Sequence, residues 1–278
     1  MLRPLFLLLC FALSFSAHGA GFITNLLNHP VPGGVAVVDL GDNDAAPQAF
    51  YQDKPVLVVR ENKQHWIAIV GIPLKTAQGS QTLKVRDAFG SREARFDVGT
   101  RQYREQHITL KNKRQVNPLT EDLKRIDREL AEQNAAYATF TLRQPSNLLF
   151  DRPVTAPLSS PFGLRRFFNK EERAPHSGLD FAAAAGTPIQ TPAAGRVILV
   201  GDYFFNGQTV FVDHGQGLIS MFCHMSQIKV RVGDELKRHA VIGNVGQTGR
   251  ATGPHLHWNV SLNGTRVDPT IFIGQFQP

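Results

Sequence analysis

The sequence predicts a mostly β protein with a small antiparallel β domain in its N-terminal part, one linking helix, and an antiparallel β-sheet domain in its C-terminal part. Short β-branched or apolar runs, separated by Gly, Asp, Asn and Pro, recur in both parts. Between them lies one segment with helical periodicity, followed by a Pro- and Ser-rich stretch. We therefore divide the chain into residues 1–19, 20–115, 116–155 and 156–278.

Residues 1–19 have the features of a secretory signal peptide. Arg3 is followed by an apolar run from Leu5 to Phe15, and the small residues Ala17 and Gly19 precede an expected cleavage before Ala20. We therefore expect a mature protein that is periplasmic or secreted, within the cell envelope. No later apolar run reaches the roughly 18 residues that a membrane-spanning helix needs, so the membrane would be contacted only through an uncleaved signal segment.

The composition is typical of a globular protein: 278 residues, 42% hydrophobic and 19% charged, with a formal net charge of +7. The positive charge suits an anionic partner such as a cell-envelope polymer, although a merely basic surface explains it equally well. We expect no nucleic-acid partner. Because Cys10 leaves with the signal segment, Cys223 is the one cysteine of the mature chain and no intramolecular disulfide can form.

The N-terminal part should form a small antiparallel sandwich or barrel, because runs such as "GGVAVVDL" and "HWIAIVGI" have the length of short strands. The linking segment predicts an amphipathic helix, since Leu123, Ile126 and Leu130 recur at spacings of three and four residues. Thr120 is the expected N-cap of this helix. The charged remainder of the helix is expected to face solvent.

Three short segments of the C-terminal part carry chemically active side chains: His176 and Asp180 in "HSGLDF", His224 in "MFCHM", and His255 and His257 in "HLH". Residues i and i+2 of a strand point to the same face, so His255 and His257 should share one space. Two histidines and one carboxylate with an open fourth position form a known type of catalytic zinc site. From this pattern alone, metal binding and an ordinary surface or core role remain equally open.

Other side chains of the C-terminal part are further candidates for a role at such a site. Cys223 has no second cysteine to form a thiolate zinc site, and as the neighbour of His224 it should point to the opposite face of its strand, which disfavours a cysteine–histidine nucleophile pair. Arg165 could meet an anionic substrate group or be an ordinary surface charge. The aromatic side chains that could line a substrate groove, or simply pack, are Phe167, Phe168, Tyr203, Phe204 and Phe205.

The C-terminal part resembles the lysostaphin-type (LytM-like) zinc metallopeptidases, which cut peptidoglycan cross-links. The resemblance begins at "SSPFGLR" and continues through "HSGLDFAAAAGTPIQTPAAGRV" and "VFVDHGQGLISMFCHM" to "VRVGDELKRHAVIGNVGQTGRATGPHLHW". It implies one Zn²⁺ per chain, held by His176, Asp180 and His257. It also implies that His224 and His255 are the catalytic pair.

By this resemblance, the chain is an exported zinc-dependent endopeptidase that hydrolyses peptide bonds in peptidoglycan stem peptides or cross-links by attack of a metal-activated water. One of His224 and His255 would accept the proton of the water, and the other would stabilise the oxyanion or protonate the leaving amine. The chain departs from the usual pattern at Asn259, where the family commonly has Glu, and at Cys223, where a small residue is common. Neither departure removes a ligand or a catalytic position.

Two other functions compete with this one. A non-catalytic homologue, which binds peptidoglycan or activates another hydrolase, should have lost metal ligands, whereas all five motif positions are present here. The second competing function is that of a carrier domain, because "GTPIQTPAAGRV" and "VRVGDELKRHAVIGNVG" resemble the two halves of biotinyl and lipoyl domains. The C-terminal fold should be related to the barrels of those domains (the duplicated hybrid motif). The chain has no Met-Lys-Met attachment hairpin. The sequence is compatible with a partner protein that activates the enzyme and does not identify one. Asn147, in the linker before the C-terminal part, is a hypothetical cover for the metal site.

Overall fold

The computed structural model describes residues 21–110, 114 and 116–277. The expected signal segment, residues 1–19, lies outside the described residues. In the part of the chain that is described, no helix is long and apolar enough to cross a membrane. Over these residues the fold is mostly β with two α-helices, and the strands are nearly all antiparallel, as the sequence predicts.

The N-terminal part contains a short helix and eight strands. These are α1 (Phe22–Leu27), β1 (Val35–Asp42), β2 (Gln48–Tyr51), β3 (Lys54–Pro55), β4 (Leu57–Arg60), β5 (His65–Gly71), β6 (Gly79–Asp87), β7 (Gly90–Val98) and β8 (Glu105–Ile108). Strands β1, β5 and β4 form one sheet, and β3, β2, β6 and β7 form a second. Alternate residues of the two sheets, such as Ala68 and Leu83, share one apolar core, so the expected sandwich is the arrangement found.

The sheet of β1, β5 and β4 has two buried faces. One face contributes to the sandwich core. The alternate residues on the opposite face, such as Leu57 and Ile69, belong to a second core that includes Phe222 and Trp258 of the C-terminal part. This explains why β5 reads as a continuous apolar run rather than an alternating one, since every residue from Trp66 to Gly71 is buried. The two halves of the chain are therefore joined by a shared apolar core.

The linking helix α2 spans Thr120–Tyr137, which confirms the helical periodicity. The expected N-cap was wrong by one residue: Leu119 is the N-cap, and the carboxylate of Asp122 accepts a hydrogen bond from its backbone N–H at 3.0 Å. This carboxylate accepts from the N–H of the N-cap residue, whereas the Thr120 hydroxyl was expected to accept from an N–H of the first turn. It also fits the positive end of the helix dipole.

The face of α2 that packs inward also differs from the expectation. Ile126 is buried, but Leu123 and Leu130 are 46% and 48% exposed. The buried residues of α2 include three polar ones, Asp122, Glu129 and Gln133. Polar side chains of α2 are therefore directed at the C-terminal part, and the predicted fully solvated charged face is not found.

The C-terminal part contains twelve strands. These are β9 (Leu158–Ser160), β10 (Arg165–Phe168), β11 (Glu171–Glu172), β12 (Leu179–Phe181), β13 (Pro188–Gln190), β14 (Gly195–Tyr203), β15 (Gly207–Gly215), β16 (Leu218–Ile228), β17 (Glu235–Leu236), β18 (Val241–Val245), β19 (Leu256–Leu262) and β20 (Thr265–Val267). Ten of them form one sheet with the central order β17-β14-β15-β16-β19-β12-β9. Among the described residues the strands close no barrel, so the kinship expected with biotinyl and lipoyl domains does not extend to a closed barrel.

Two contacts cross the boundaries that we drew from the sequence. Strand β8 pairs in parallel with β10, which joins the end of the N-terminal part to the C-terminal part. Residues 141–157 of the Pro- and Ser-rich segment form no helix or strand, yet Phe150 in this stretch is buried against His214, Trp258 and Phe272. The domain boundaries stay a prediction.

Candidate metal centre and active site

Three side chains converge in the centre of the C-terminal sheet. His176 Nε2 lies 2.9 Å from Asp180 Oδ1 and 2.9 Å from His257 Nδ1, and the last two atoms are 2.8 Å apart. All three residues are buried, and one atom of each can contact a single ion. Three atoms with lone pairs that point at one another repel unless a cation or a proton lies among them. The cluster therefore fits a metal ion.

Strand pairing sets the positions of two of these residues. Asp180 in β12 lies directly opposite His257 in β19, so their side chains project from the same face of the sheet. His176 lies four residues before Asp180, just ahead of β12. The chain between them passes close to β19 at Gly178, where a Cβ would lie 2.4 Å from the carbonyl oxygen of Trp258. Only glycine permits this approach.

The tautomer of His176 follows from its hydrogen bond. Its Nδ1 lies 2.7 Å from the carbonyl oxygen of Pro161. A carbonyl can only accept, so Nδ1 donates and Nε2 of the neutral ring presents a lone pair to the cluster. A backbone acceptor on the second ring nitrogen is the usual arrangement of a metal-binding histidine.

The charge states of the cluster also suit a cation. Burial alone would raise the pKa of Asp180, but the neighbouring His176 and His257 outweigh it and hold the pKa of this carboxyl well below its usual range. Burial lowers the pKa of His257 to about 4, because a charged imidazolium is poorly solvated there. Near neutral pH the cluster therefore offers a carboxylate and a neutral imidazole.

His224 approaches the cluster from strand β16. Its ring centroid lies 4.7 Å from that of His255 and 6.1 Å from that of His257. Its backbone is left-handed, with φ of +61°, and its N–H donates to the carbonyl oxygen of Asn206 at 2.9 Å. Its Nδ1 donates to the carbonyl oxygen of Thr248, which leaves Nε2 with the lone pair. Burial, followed by the charges of His255 and His257, lowers the pKa of His224 to about 3.

The unusual backbone of His224 comes from a β-bulge. Gln208 pairs with Met225 and Val210 pairs with Phe222, so Cys223 and His224 together face a single residue of β15. The bulge interrupts the alternation of side chains. Cys223 and His224 both line the same cavity, and the expectation that they point to opposite faces was wrong. Cys223 is otherwise a buried packing residue, and burial raises the pKa of its thiol.

His255 lies beside the cluster without joining it. Its Nε2 is 4.0 Å from Asp180 Oδ1, and its Nδ1 donates to the carbonyl oxygen of Gly253 at 2.9 Å. The structure thus brings all five predicted site residues together. Three of them meet in the cluster, while His224 and His255 lie beside it with Nδ1 bound to a backbone carbonyl, so that Nε2 is the ring nitrogen left for a ligand.

One residue of the site was missed from the sequence. Arg166 donates to Asp180 Oδ2 at 2.9 Å, and so binds the carboxylate oxygen that is turned away from the cluster. The same guanidinium donates to the side chain of Gln106 in the N-terminal part. Burial lowers the pKa of Arg166 from its ordinary value, although its pairing with Asp180 opposes this. The one sequence signal for Arg166 was the alternation of side chains along β10, which places Arg165 and Arg166 on opposite faces of the strand.

Two cavities adjoin the site. The larger, about 540 Å³, is lined by His176, His224 and His257 and, on its far side, by residues of α2. The smaller, about 330 Å³, is lined by Asp180, His224 and His255 among others. The site is therefore open to a ligand from two sides.

Comparisons with known proteins agree with this geometry. The model of Peptidase family M23 matches residues 174–269, and the model of the Peptidase family M23 N-terminal domain matches residues 28–101. A crystal structure from Pseudomonas aeruginosa, assigned to peptidase M23, is 62% identical; the match covers 92% of this chain and 100% of that one, with a TM-score of 0.80. The chain belongs to peptidase family M23.

Curated relatives of this M23 chain include endopeptidases, among them one named for peptidoglycan. The peptidoglycan DD-endopeptidase ShyA of Vibrio cholerae is 38% identical over 112 residues, which are 40% of this chain and 26% of ShyA. The DD-carboxypeptidase/endopeptidase Mpg of Neisseria meningitidis is 38% identical over 116 residues, which are 42% of this chain and 27% of Mpg. The matched region thus spans about a quarter of the length of these relatives.

Other residues named from the sequence lie in different surroundings in this M23 chain. Arg165 is exposed and paired with Glu105 and Glu172, and it lines neither cavity beside the cluster. Asn147 also lines neither cavity, because its side chain contacts Ser146 and the carbonyl oxygen of Leu149. The hypothesis that Asn147 covers the metal site was therefore wrong. Of the five aromatic residues, Phe205 lines the larger cavity and Phe168 the smaller.

The departure at Asn259 has a structural counterpart in α2. The Tyr137 hydroxyl donates to Asn259 Oδ1 at 3.1 Å, and Asn259 Nδ2 lies 2.9 Å from the same hydroxyl. Both side chains are buried, and Tyr137 also lines the larger cavity. An amide at position 259 therefore pairs with the linking helix, where a glutamate would introduce a buried charge.

We expect the Tyr137→Phe substitution to reduce the free energy of unfolding by about 1–3 kcal/mol, because it leaves the buried amide of Asn259 without this partner. Replacing both residues, Tyr137 with Phe and Asn259 with Leu, should restore much of that loss, since no polar group then lacks its partner. Urea unfolding of the wild type, both single variants and the double variant measures the coupling. If the effects of the two single substitutions on the free energy of unfolding simply add in the double variant, the proposed coupling of Tyr137 and Asn259 is contradicted.

Proposed function

We propose that the chain is a zinc-dependent endopeptidase that hydrolyses peptide bonds in peptidoglycan stem peptides or cross-links. The observation that carries the proposal is the convergence of His176, Asp180 and His257 within 2.9 Å of one another, with His224 and His255 beside them. Membership of the M23 peptidases and the similarity to the endopeptidases ShyA and Mpg support it.

In this proposal His176, Asp180 and His257 hold one Zn²⁺ per chain. Two imidazoles and one carboxylate form a donor set that suits catalytic zinc and leaves a fourth position open. When bound, the zinc would lower the pKa of a water molecule to about 7 and polarise the scissile carbonyl. Arg166 fixes the orientation of Asp180 through the second carboxylate oxygen.

The roles of His224 and His255 follow from their tautomers. Each ring donates its Nδ1–H to a backbone carbonyl, so each presents an Nε2 lone pair on the cavity side. A neutral imidazole of this kind can accept the proton of the attacking water and later return it to the leaving amine. The imidazole that has taken up this proton carries an Nε2–H, and that group can donate a hydrogen bond to the oxyanion before the proton passes to the leaving amine. The geometry allows either His224 or His255 to take up the proton.

The site of action in this proposal is the cell envelope. The substrate is a cell-wall polymer, and residues 1–19 have the pattern of a secretory signal. The alternative, a non-catalytic homologue that binds peptidoglycan or activates another hydrolase, is disfavoured. Such a homologue has no need to keep three metal-binding side chains and two further imidazoles at these separations.

Digestion of purified sacculi tests the proposal. The protein is prepared metal-free, then reloaded with zinc, and soluble fragments are identified by mass. We expect zinc-loaded protein to release peptide-cleaved fragments and chelator-treated protein to release none. Metal analysis of the protein as purified should find about one zinc per chain. Zinc-loaded protein that binds sacculi without releasing fragments would favour the non-catalytic alternative.

A further inference from the structure

We propose that Gln106, in the N-terminal part, is a positioning residue of the metal centre: it holds Arg166, and Arg166 in turn holds the metal-binding carboxylate of Asp180. This inference rests on the proposed function, since it takes the cluster of His176, Asp180 and His257 to bind zinc. It goes beyond that function because it makes the N-terminal part a component of the site, although all three residues of the cluster belong to the C-terminal part.

Strand pairing places Gln106 beside Arg166. Strand β8 runs parallel to β10, with Glu105 opposite Arg165 and Gln106 opposite Arg166. Paired residues project from the same face of a sheet, so Gln106 and Arg166 share one face while Glu105 and Arg165 share the other. The sheet that contains β10 has the order β11-β10-β8, and β11 is only two residues long. The N-terminal part thus supplies the longer of the two strands that hold β10 in place.

The guanidinium of Arg166 is bound at two separate nitrogens. Its Nε donates to Gln106 Oε1 at 3.1 Å, while one terminal nitrogen donates to Asp180 Oδ2 at 2.9 Å and to Ser160 Oγ at 3.4 Å. The group is planar and rigid, so a bond at Nε fixes the direction in which the terminal nitrogen points. The side chains of Arg166 and Asp180 are only 19% and 10% exposed. Gln106 therefore sets the orientation in which Arg166 meets the carboxylate.

Asp180 divides its two oxygens between the cluster and Arg166. Its Oδ1 lies 2.9 Å from His176 Nε2 and 2.8 Å from His257 Nδ1, whereas Oδ2 accepts from Arg166. Rotation of the carboxylate would take Oδ1 out of the cluster, and the bond at Oδ2 opposes that rotation. Loss of a partner that orients a ligand typically weakens metal binding by about 10- to 100-fold. Gln106 acts one bond further from the metal, so its effect should lie at the lower end of this range.

Position 106 allows orientation to be separated from charge. The amide of Gln106 is neutral, so replacing it with an apolar side chain leaves the charges of Arg166 and Asp180 in place. Gln106 also lines the smaller cavity together with Asp180 and His255, which places it at the site itself. Glu105, the preceding residue of β8, is exposed, pairs with Arg165 at 2.8 Å and lines neither cavity beside the cluster. Substitution of Glu105 is therefore the matched control.

The affinity of the full chain for Zn²⁺ tests the inference. The dissociation constant is measured by competition with a chromophoric chelator for the wild type, Gln106→Leu, Gln106→Glu and Glu105→Leu. We expect Gln106→Leu to weaken zinc binding by about tenfold, because Arg166 is then free to turn away from Asp180. Gln106→Glu keeps an acceptor oxygen for Nε and should bind zinc nearly as tightly as the wild type. Glu105→Leu should match the wild type, although it loses an ion pair on the same strand.

A double-mutant cycle shows whether Gln106 acts through Arg166. Arg166→Lys keeps the positive charge but removes the planar group that bridges Gln106 and Asp180. It should itself weaken zinc binding, and Gln106→Leu should then cause no further loss in the Arg166→Lys background. If Gln106→Leu fails to fold, Gln106→Asn takes its place, because the shorter side chain withdraws the acceptor oxygen without introducing an apolar group.

The outcomes separate this inference from the proposed function. Wild-type zinc affinity in folded Gln106→Leu would overturn the inference and leave the proposed function standing. The same holds for an equal loss in Glu105→Leu, for a loss that Gln106→Glu does not restore, and for losses that simply add in the cycle. A wild type that binds no zinc and releases no fragments from sacculi would overturn the proposed function and this inference with it.

Discussion

Replacing His257 with Ala is expected to remove the metal and, with it, the peptidase activity. The substitution reduces the cluster from three donors to two and leaves Asp180 Oδ1 with a single neighbour, His176 Nε2, at 2.9 Å. Losing a group that merely orients a ligand typically costs about 10- to 100-fold in metal affinity, so loss of a ligand should cost more. Metal analysis after dialysis and release of fragments from sacculi measure the two effects.

His255→Ala is the matched control, because it removes the same side chain two residues away. His255 Nε2 is 4.0 Å from Asp180 Oδ1 and does not join the cluster. This variant should keep its metal and lose about 10²- to 10⁴-fold in rate, the usual contribution of a positioned acid or base. Equal metal loss in both variants would show that the ligand and catalytic roles were divided wrongly.

The sequence predicted the fold class because strand periodicity is a local signal. Residues 255–260 and 218–225 read as strands from their own composition, and all of them except His255 are found in β19 and β16. Strand pairing then decides what the sequence leaves open, namely that Asp180 lies opposite His257. Such a pairing joins residues 77 positions apart, and no local pattern specifies it.

The helix α2 shows where periodicity is insufficient. The repeat of Leu123, Ile126 and Leu130 gave the correct element, but two of these three residues are about half exposed. Glu129 and Gln133 are buried instead, because they bind the segment that follows β14: Glu129 accepts from the N–H of Phe204, and Gln133 accepts from Asn206 Nδ2. A polar residue buried by specific partners looks the same in sequence as one that faces solvent.

The site itself was predictable in part for the same reason. The histidines stand in short motifs, so residue type and spacing identified them. Arg166 binds Asp180, and Tyr137 binds Asn259 beside the larger cavity; both act through contacts with residues distant in sequence. The bulge at His224 was equally hidden, since two residues of β16 facing one of β15 is a property of the pair of strands.

The His224→Asn substitution should keep the metal and the fold while reducing the rate by about 10²- to 10⁴-fold. Asparagine is chosen because the backbone at this position has φ of +61°, a left-handed conformation that asparagine tolerates better than most residues. His224→Ala would combine loss of the imidazole with backbone strain of about 1–2 kcal/mol, and the two effects could not be separated.

Three measurements on His224→Asn are read together. Zinc content and melting temperature should match the wild type, because His224 is not among the three converging atoms and its N–H bond to Asn206 is made by the backbone. The loss should appear in kcat with little change in KM, since an imidazole that only transfers a proton or stabilises the oxyanion contributes to the transition state and not to substrate binding. His224→Gly, which relaxes the left-handed backbone further, should give the same kinetic loss. If His224→Asn instead loses zinc, or if its deficit lies wholly in KM, then His224 acts as a ligand or a substrate contact and the proposed division of the five residues is wrong.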